Sequence, residues 1–157
     1  MGLTSDEPVD SVDESTREFA MHKAIKRIFD FVFALIAIVA LTPVWVVLAV
    51  WIFLSSPGGV FFRQKRTGYR GETFEMLKFR SMYRNDKADE QQSTEGDPRV
   101  TPVGRFLRRS SLDELPQLYN VLRGDMSIVG PRPELPFFVE RFKEEVPMYM
   151  LKHLVRP

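Results

Sequence analysis

The 157-residue chain has no cysteine and only two histidines. The first absence excludes disulfides, thiolate nucleophiles and thiolate metal sites, and it is compatible with a reducing compartment. His22 and His153 have no convincing ligand spacing around them, so they read as surface or structural residues rather than a metal centre. Charge is absent from Phe31 to Phe62, where FVFALIAIVALTPVWVVLAVWIFL forms an apolar run suited to a bilayer. The first Met is followed by an acidic, polar stretch rather than a basic segment and an early apolar core, which argues against a cleaved secretory signal.

As a straight helix, Phe31 to Leu54 is about 36 Å long, enough to cross a hydrocarbon core roughly 30 Å thick. Pro43 sits near its middle, lacks an amide hydrogen and presses its ring on the preceding turn, so the helix either kinks or reverses there. Each half alone is about 16 Å and reaches only the middle of the membrane. Lys23, Lys26 and Arg27 precede the run, and Arg63, Lys65, Arg66 and Arg70 follow it. Lys and Arg beside a membrane segment tend to stay cytoplasmic, and a helix that enters and leaves one face satisfies both clusters. Matched flanks therefore favour a re-entrant helix over a single-pass span, with a buried helix of a soluble protein as a third arrangement.

Residues 1–18 read as a disordered acidic tail, with Asp6, Glu7, Asp10, Asp13, Glu14 and Glu18 against Arg17. The body that follows is correspondingly basic and suits anionic lipid or phosphate-bearing ligands, although most such charges simply solvate a surface. Residues 19–58 form the membrane helix–break–helix, and 59–157 one small domain that leans on the membrane or a partner for part of its burial. The fold class is α/β and membrane-associated, a kinked re-entrant helix plus a small, mostly helical domain with a short β-hairpin.

Val60–Gln64 and Thr73–Phe79 read as the strands of that hairpin, with turns at Ser55–Gly59 and Thr67–Gly71. Asn85–Pro98 is a polar surface loop. Helices begin near Val103 or Gly104 and near Ser111, the second directing Leu112, Leu115, Leu118, Tyr119 and Leu122 inward. Leu135, Phe138, Val139, Phe142 and Val146, with Phe137 beside them, mark an amphipathic helix that lies in the membrane interface or packs on the domain.

The chemically informative centre is RFLRRSSLDELPQL, residues 105–118. Arg105, Arg108 and Arg109 fall at i, i+3 and i+4, one cationic face suited to bidentate phosphate contacts. Ser111 and Glu114 have capping-box spacing, which sets Asp113 among free backbone amides and favours its ionised form. A carboxylate so placed can attack phosphorus while arginines neutralise the phosphates. A capping box beside surface arginines also needs no function at all.

RRSSLDELPQLYNVLRGDMSIVGPRPE, with KRIFD before the apolar run, FFRQKRTG after it and FEMLKFRSM in the hairpin, resembles the bacterial sugar transferase family, the monotopic polyprenyl-phosphate phosphoglycosyl transferases. The resemblance runs nearly continuously from Lys26 to Pro157. It implies transfer of a sugar 1-phosphate from a UDP-sugar to undecaprenyl phosphate with release of UMP, at the cytoplasmic face of a bacterial inner membrane. It further implies that Asp113 and Glu114 form a catalytic dyad that also holds Mg2+, with Asp113 the nucleophile. Arg108, Lys78, Arg80 and Arg132 match phosphate-contacting positions, joined by Arg105 and Arg109. Thr42 and Pro43 match the family's helix break, where serine commonly stands in place of Thr42, and the hydroxyl remains to bond a freed carbonyl.

The expected partners are thus a UDP-sugar, undecaprenyl phosphate and an anionic lipid bilayer, with a homodimer admissible and no nucleic acid. The family normally continues beyond Val155-Arg156-Pro157, so a C-terminally truncated domain is expected. The alternative is a membrane-tethered, non-catalytic module that binds phosphate or lipid.

Overall fold

The computed structural model describes residues 9–83, 96–146 and 148–157. One long helix, α1 (Val9–Ser55), is followed by a hairpin of β1 (Phe61–Thr67) and β2 (Thr73–Phe79) and by helices α2 (Pro102–Arg109), α3 (Gln117–Arg123) and α4 (Pro136–Glu145). Short 3₁₀ turns at Tyr69–Gly71, Leu112–Glu114 and Tyr149–Leu154 complete the order. The architecture is one long apolar N-terminal helix on a small, mostly helical domain with a β-hairpin.

α1 differs from expectation at both its start and its centre. It begins at Val9, inside the stretch read as a disordered tail, because nothing from Val9 onward breaks a helix propagated from the apolar run and acidic residues suit a helix N-terminus. Residues 1–8 of that tail, and 85–95 of the expected surface loop, lie outside the described residues. Pro43 stays inside α1, which is one continuous helix rather than helix–break–helix. The Thr42 hydroxyl donates to the Ile38 carbonyl at 2.8 Å, one residue before Val39, whose carbonyl loses its donor to the proline. Such back-bonding one turn earlier bends a helix without ending it.

Only 11% of the most apolar window in Arg17–Ser55 is buried, so α1 is not the core helix of a soluble domain. What it does bury falls in two places. Leu48 and Ile52 join Phe79, Val103 and Leu107 in one apolar cluster, and Ala34 joins Met76, Val121 and Met126 in another. The domain therefore holds α1 on both sides of Pro43.

The hairpin is antiparallel, in register from Phe61 opposite Phe79 to Thr67 opposite Thr73. Its first strand runs three residues past the expected Gln64, because the Thr67 amide pairs with the Glu134 carbonyl at 2.9 Å and extends the ladder. Thr101 caps α2 by accepting from the Gly104 amide, with Pro102 at the first helical position. A side chain at position 104 would run into the Ser81 backbone, so glycine is what lets α2 lie against the end of the hairpin.

The other edge of β2 is closed by a side chain. Asn120 of α3, almost fully buried, accepts from the Leu77 amide at 2.9 Å and donates to the Glu75 carbonyl at 2.7 Å, acting as a missing strand residue. Asn120→Ala leaves both backbone groups unpaired and is expected to lower stability by about 3 kcal/mol in denaturant unfolding in detergent. Asn120→Asp, which loses the donor and faces Asp125, should be no better.

Candidate active site

The turn that carries the carboxylates is built differently from the expected capping box. Ser111 takes a left-handed conformation with φ 56°, and its side chain caps nothing. An N-cap needs extended backbone, so the box cannot form there. Instead the chain passes through the 3₁₀ turn Leu112–Glu114 and reaches α3 only after Pro116. This sends the two neighbouring carboxylates in different directions.

Asp113 is 7% exposed and Glu114 borders an open cleft. Burial pushes the Asp113 carboxyl above the usual range; the Glu114 charge adds to this, while Lys78 and Arg108 oppose it. The ionised form expected from its position near backbone amides is thus disfavoured by tertiary packing. Glu114 goes the other way. Burial works against its charge too, but the Lys78 ammonium, donating to its Oε1 at 2.8 Å, and the more distant Arg132 outweigh burial and hold it below the usual range.

The cleft has a volume of about 520 Å³. One wall is apolar and comes from α1 through Phe33, Ala37 and Leu41; the other presents Lys78, Glu114 and Arg132. Lys78 is 16% exposed on β2, whereas Arg132 is 80% exposed, 3.9 Å from Glu114. The proline-stiffened segment around Arg132 is fixed by Arg66, which donates to the Pro133 carbonyl at 3.1 Å, and by the bridge from Thr67 to Glu134. Arg66 was legible in the sequence only as a flanking charge.

The remaining cations part company. Arg108 donates from Nε to the Ser81 hydroxyl at 2.9 Å, and its charge is felt by both Asp113 and Asp97. Arg80 turns away from the dyad and donates to the Ser56 and Pro57 carbonyls at 2.7 and 3.0 Å, just beyond the end of α1. Arg105 and Arg109 lie on the exposed face of α2, outside the cleft lining, so the three arginines do not act as one face. His153 is buried in the 3₁₀ turn Tyr149–Leu154, away from these groups, where burial lowers its pKa.

Residues 21–157 match the model of the bacterial sugar transferases. The chain belongs to that family. It is 48% identical over 134 residues to the UDP-N-acetylgalactosamine-undecaprenyl-phosphate N-acetylgalactosaminephosphotransferase of Aeromonas hydrophila, covering 85% of this chain and 32% of that one. It is also 48% identical over 139 residues to the UDP-glucose:undecaprenyl-phosphate glucose-1-phosphate transferase of Escherichia coli (strain K12), covering 87% and 30%. The transferase of the same name from Caulobacter vibrioides is 46% identical over 133 residues, covering 84% and 50%. The family member described here thus spans about a third of the first two relatives' length and half of the third's.

Proposed function

We propose that this chain transfers a sugar 1-phosphate from a UDP-sugar to undecaprenyl phosphate, releasing UMP, at the cytoplasmic face of a bacterial inner membrane. The observation that carries this reading is the cleft itself. An apolar wall supplied by the membrane helix meets Lys78, Glu114 and Arg132 across a single opening, which suits a phosphate on a polyprenyl tail. The named relatives act on UDP-N-acetylgalactosamine or UDP-glucose at the same identity, so overall similarity does not select the sugar.

In the first step an Asp113 carboxylate oxygen attacks the sugar-bearing phosphorus. A phosphorus–oxygen bond to Asp113 forms as the bond to the UMP phosphate breaks, and UMP leaves with the electron pair. In the second step a phosphate oxygen of undecaprenyl phosphate attacks the same phosphorus, and Asp113 is released as carboxylate. Lys78 and Arg108, both charged neighbours of Asp113, favour the ionised nucleophile and the anionic phosphates. Glu114, held low by Lys78, stays charged throughout.

Asp113 and Glu114 would also hold Mg2+. Among the described residues no three His, Cys, Asp or Glu side chains converge, but Mg2+ is usually bound by one or two carboxylates together with water and substrate phosphates, so a site built on Glu114 at the cleft, with Asp113 next to it in the chain, fits. The bound ion would neutralise phosphate charge.

Both flanks of the apolar run belong on one side of the bilayer. Arg27 donates to the Val121 and Leu122 carbonyls at 2.5 and 2.7 Å, and Arg80 holds Ser56 and Pro57. An upright, straight helix from residue 27 to 56 would be about 43 Å long, more than the roughly 30 Å hydrocarbon core, yet one small domain grips both ends. A bend at Pro43 that returns the chain to the same face resolves this.

Two experiments test the proposal. The full chain in lipid, given Mg2+, undecaprenyl phosphate and a panel of UDP-sugars, should release UMP; no turnover by a folded sample with any sugar favours the binding module. Cysteines introduced at Lys23 and Lys65, in a chain with no other cysteine, should label from the same side of a vesicle. Opposite-side labelling overturns the re-entrant path.

A further inference from the structure

α2 presents a face that the transfer reaction does not use. Val103, Gly104 and Leu107 are buried, which leaves Pro102, Arg105, Phe106 and Arg109 exposed along the opposite side. Phe106 is 49% exposed between the two arginines on one turn.

Phe106 touches one specific neighbour, Trp51 of α1, with ring centroids 5.4 Å apart. Trp51 is itself 43% exposed, one turn before the end of the apolar run, among the lipid-accessible Val47, Val50, Phe53 and Leu54. A tryptophan there marks the level where hydrocarbon gives way to headgroups. Its contact with Phe106 puts the outer face of α2 at the same depth, and the guanidinium groups on either side of Phe106 then reach the headgroup layer.

We propose that Arg105 and Arg109, seated around the Trp51–Phe106 pair, form a binding site for the phosphate of an anionic lipid headgroup, separate from the dyad cleft. The site rests on the membrane placement of α1 argued above. It gives the two arginines a lipid phosphate in place of the substrate phosphate expected from their spacing with Arg108. Arg108 points inward to Ser81 and the dyad, whereas Arg105 and Arg109 face outward, so two phosphate environments share one short helix. A guanidinium is well matched to a phosphodiester, and a basic side chain near an anionic surface favours it on the order of fivefold.

The chain has two tryptophans, so Trp45→Phe leaves Trp51 as the only strong emitter. The full chain with this change is placed in phosphatidylcholine vesicles in which about a fifth of the lipid is brominated, as either phosphatidylglycerol or phosphatidylcholine. Contact quenching of Trp51 should be stronger for the brominated phosphatidylglycerol, corresponding to roughly tenfold local enrichment, and the excess should fall with added salt. Arg105→Gln/Arg109→Gln should erase the excess, and Arg105→Lys/Arg109→Lys should keep most of it. Unchanged variants of the Trp45-containing chain, read by native mass spectrometry for retained phosphatidylglycerol, provide the same comparison if Trp45→Phe disturbs folding.

Equal quenching by the two lipids overturns the headgroup site and leaves the membrane placement standing. No quenching by either lipid overturns both. A rise in the UDP-sugar KM of the Gln pair, with lipid preference intact, returns the arginines to the substrate.

Discussion

Asp113→Asn is expected to lower UMP release by about a thousandfold or more while making the folded chain more heat-stable. The two effects have one origin. Burial raises the Asp113 pKa, so the folded protein favours the protonated, uncharged carboxyl. Stability from this group is therefore fully present below the unfolded-state pKa and is lost as pH rises through the higher folded-state value. At neutral pH the ionised carboxylate opposes folding, and the neutral amide of Asn removes that opposition. The proposed attack by Asp113 needs the form that folding disfavours, so the acid limb of kcat/KM should lie above the ordinary aspartate range. Glu114 carries the reverse shift, and its contribution to stability is present above the ordinary glutamate pKa and lost as pH falls through its lowered value. Two adjacent carboxylates driven apart in this way are suited to different tasks. UMP release by Asp113→Asn at the wild-type rate would remove Asp113 as nucleophile, and a melting temperature below wild type would show that Lys78 and Arg108, rather than burial, govern its charge.

Local patterns carried the elements whose partners are close in sequence. β2 has the predicted bounds, with the Thr67–Gly71 turn ahead of its start, and the hairpin follows from the two short strands that this turn joins. Along α4 and its two caps, Leu135 and Val139 are buried as their spacing requires, but Phe137 and Val146 stay exposed because the domain covers only one side of the helix. The set from Leu112 to Leu122 was read as one helix, and there the pattern failed in an instructive place. Leu112, Leu115, Leu118 and Leu122 do pack on the two apolar clusters, whereas Tyr119 is 49% exposed. The 3₁₀ turn and Pro116 interrupt the helix and change its phase, so a residue seven positions from Leu112 no longer shares its face.

The site was legible as chemistry and much less so as geometry. A run of arginines before two carboxylates suits phosphate chemistry without requiring it, whereas Lys78 reaches Glu114 across thirty-six residues of sequence, a pairing no local spacing reports. Which carboxylate is buried depends on the left-handed backbone at Ser111, a residue type with no strong preference for it. Asn120 was passed over for a similar reason. Its role exists only because α3 lies along the open edge of β2, and no spacing within α3 reports that neighbour.

Arg80→Met should cost about 3 kcal/mol of stability while leaving the UDP-sugar KM within about twofold of wild type. Sequence resemblance put Arg80 among the phosphate contacts with Lys78, two residues earlier on the hairpin. Its guanidinium is instead buried and donates to the Ser56 carbonyl, the Ser56 hydroxyl and the Pro57 carbonyl, with the Ile52 carbonyl at the limit of reach. These acceptors belong to the last turn of α1 and the two residues after it, where carbonyls have no helical partner and the macrodipole favours a cation. Strand alternation alone would put Lys78 and Arg80, two residues apart, on one face, but β2 ends at Phe79: Lys78 faces Glu114 and the cleft, and the chain beyond the strand turns Arg80 toward the membrane helix. Met fills the space of the stem but leaves the carbonyls unpaired, so the loss should appear in unfolding rather than in substrate binding. Arg80→Lys should recover only part of it, because one ammonium cannot match a planar fork that reaches Ser56 and Pro57 together. A tenfold rise in KM with undiminished stability would place Arg80 back at a phosphate. Loss of stability alone identifies it as the clamp that ties the C-terminal end of α1 to the domain.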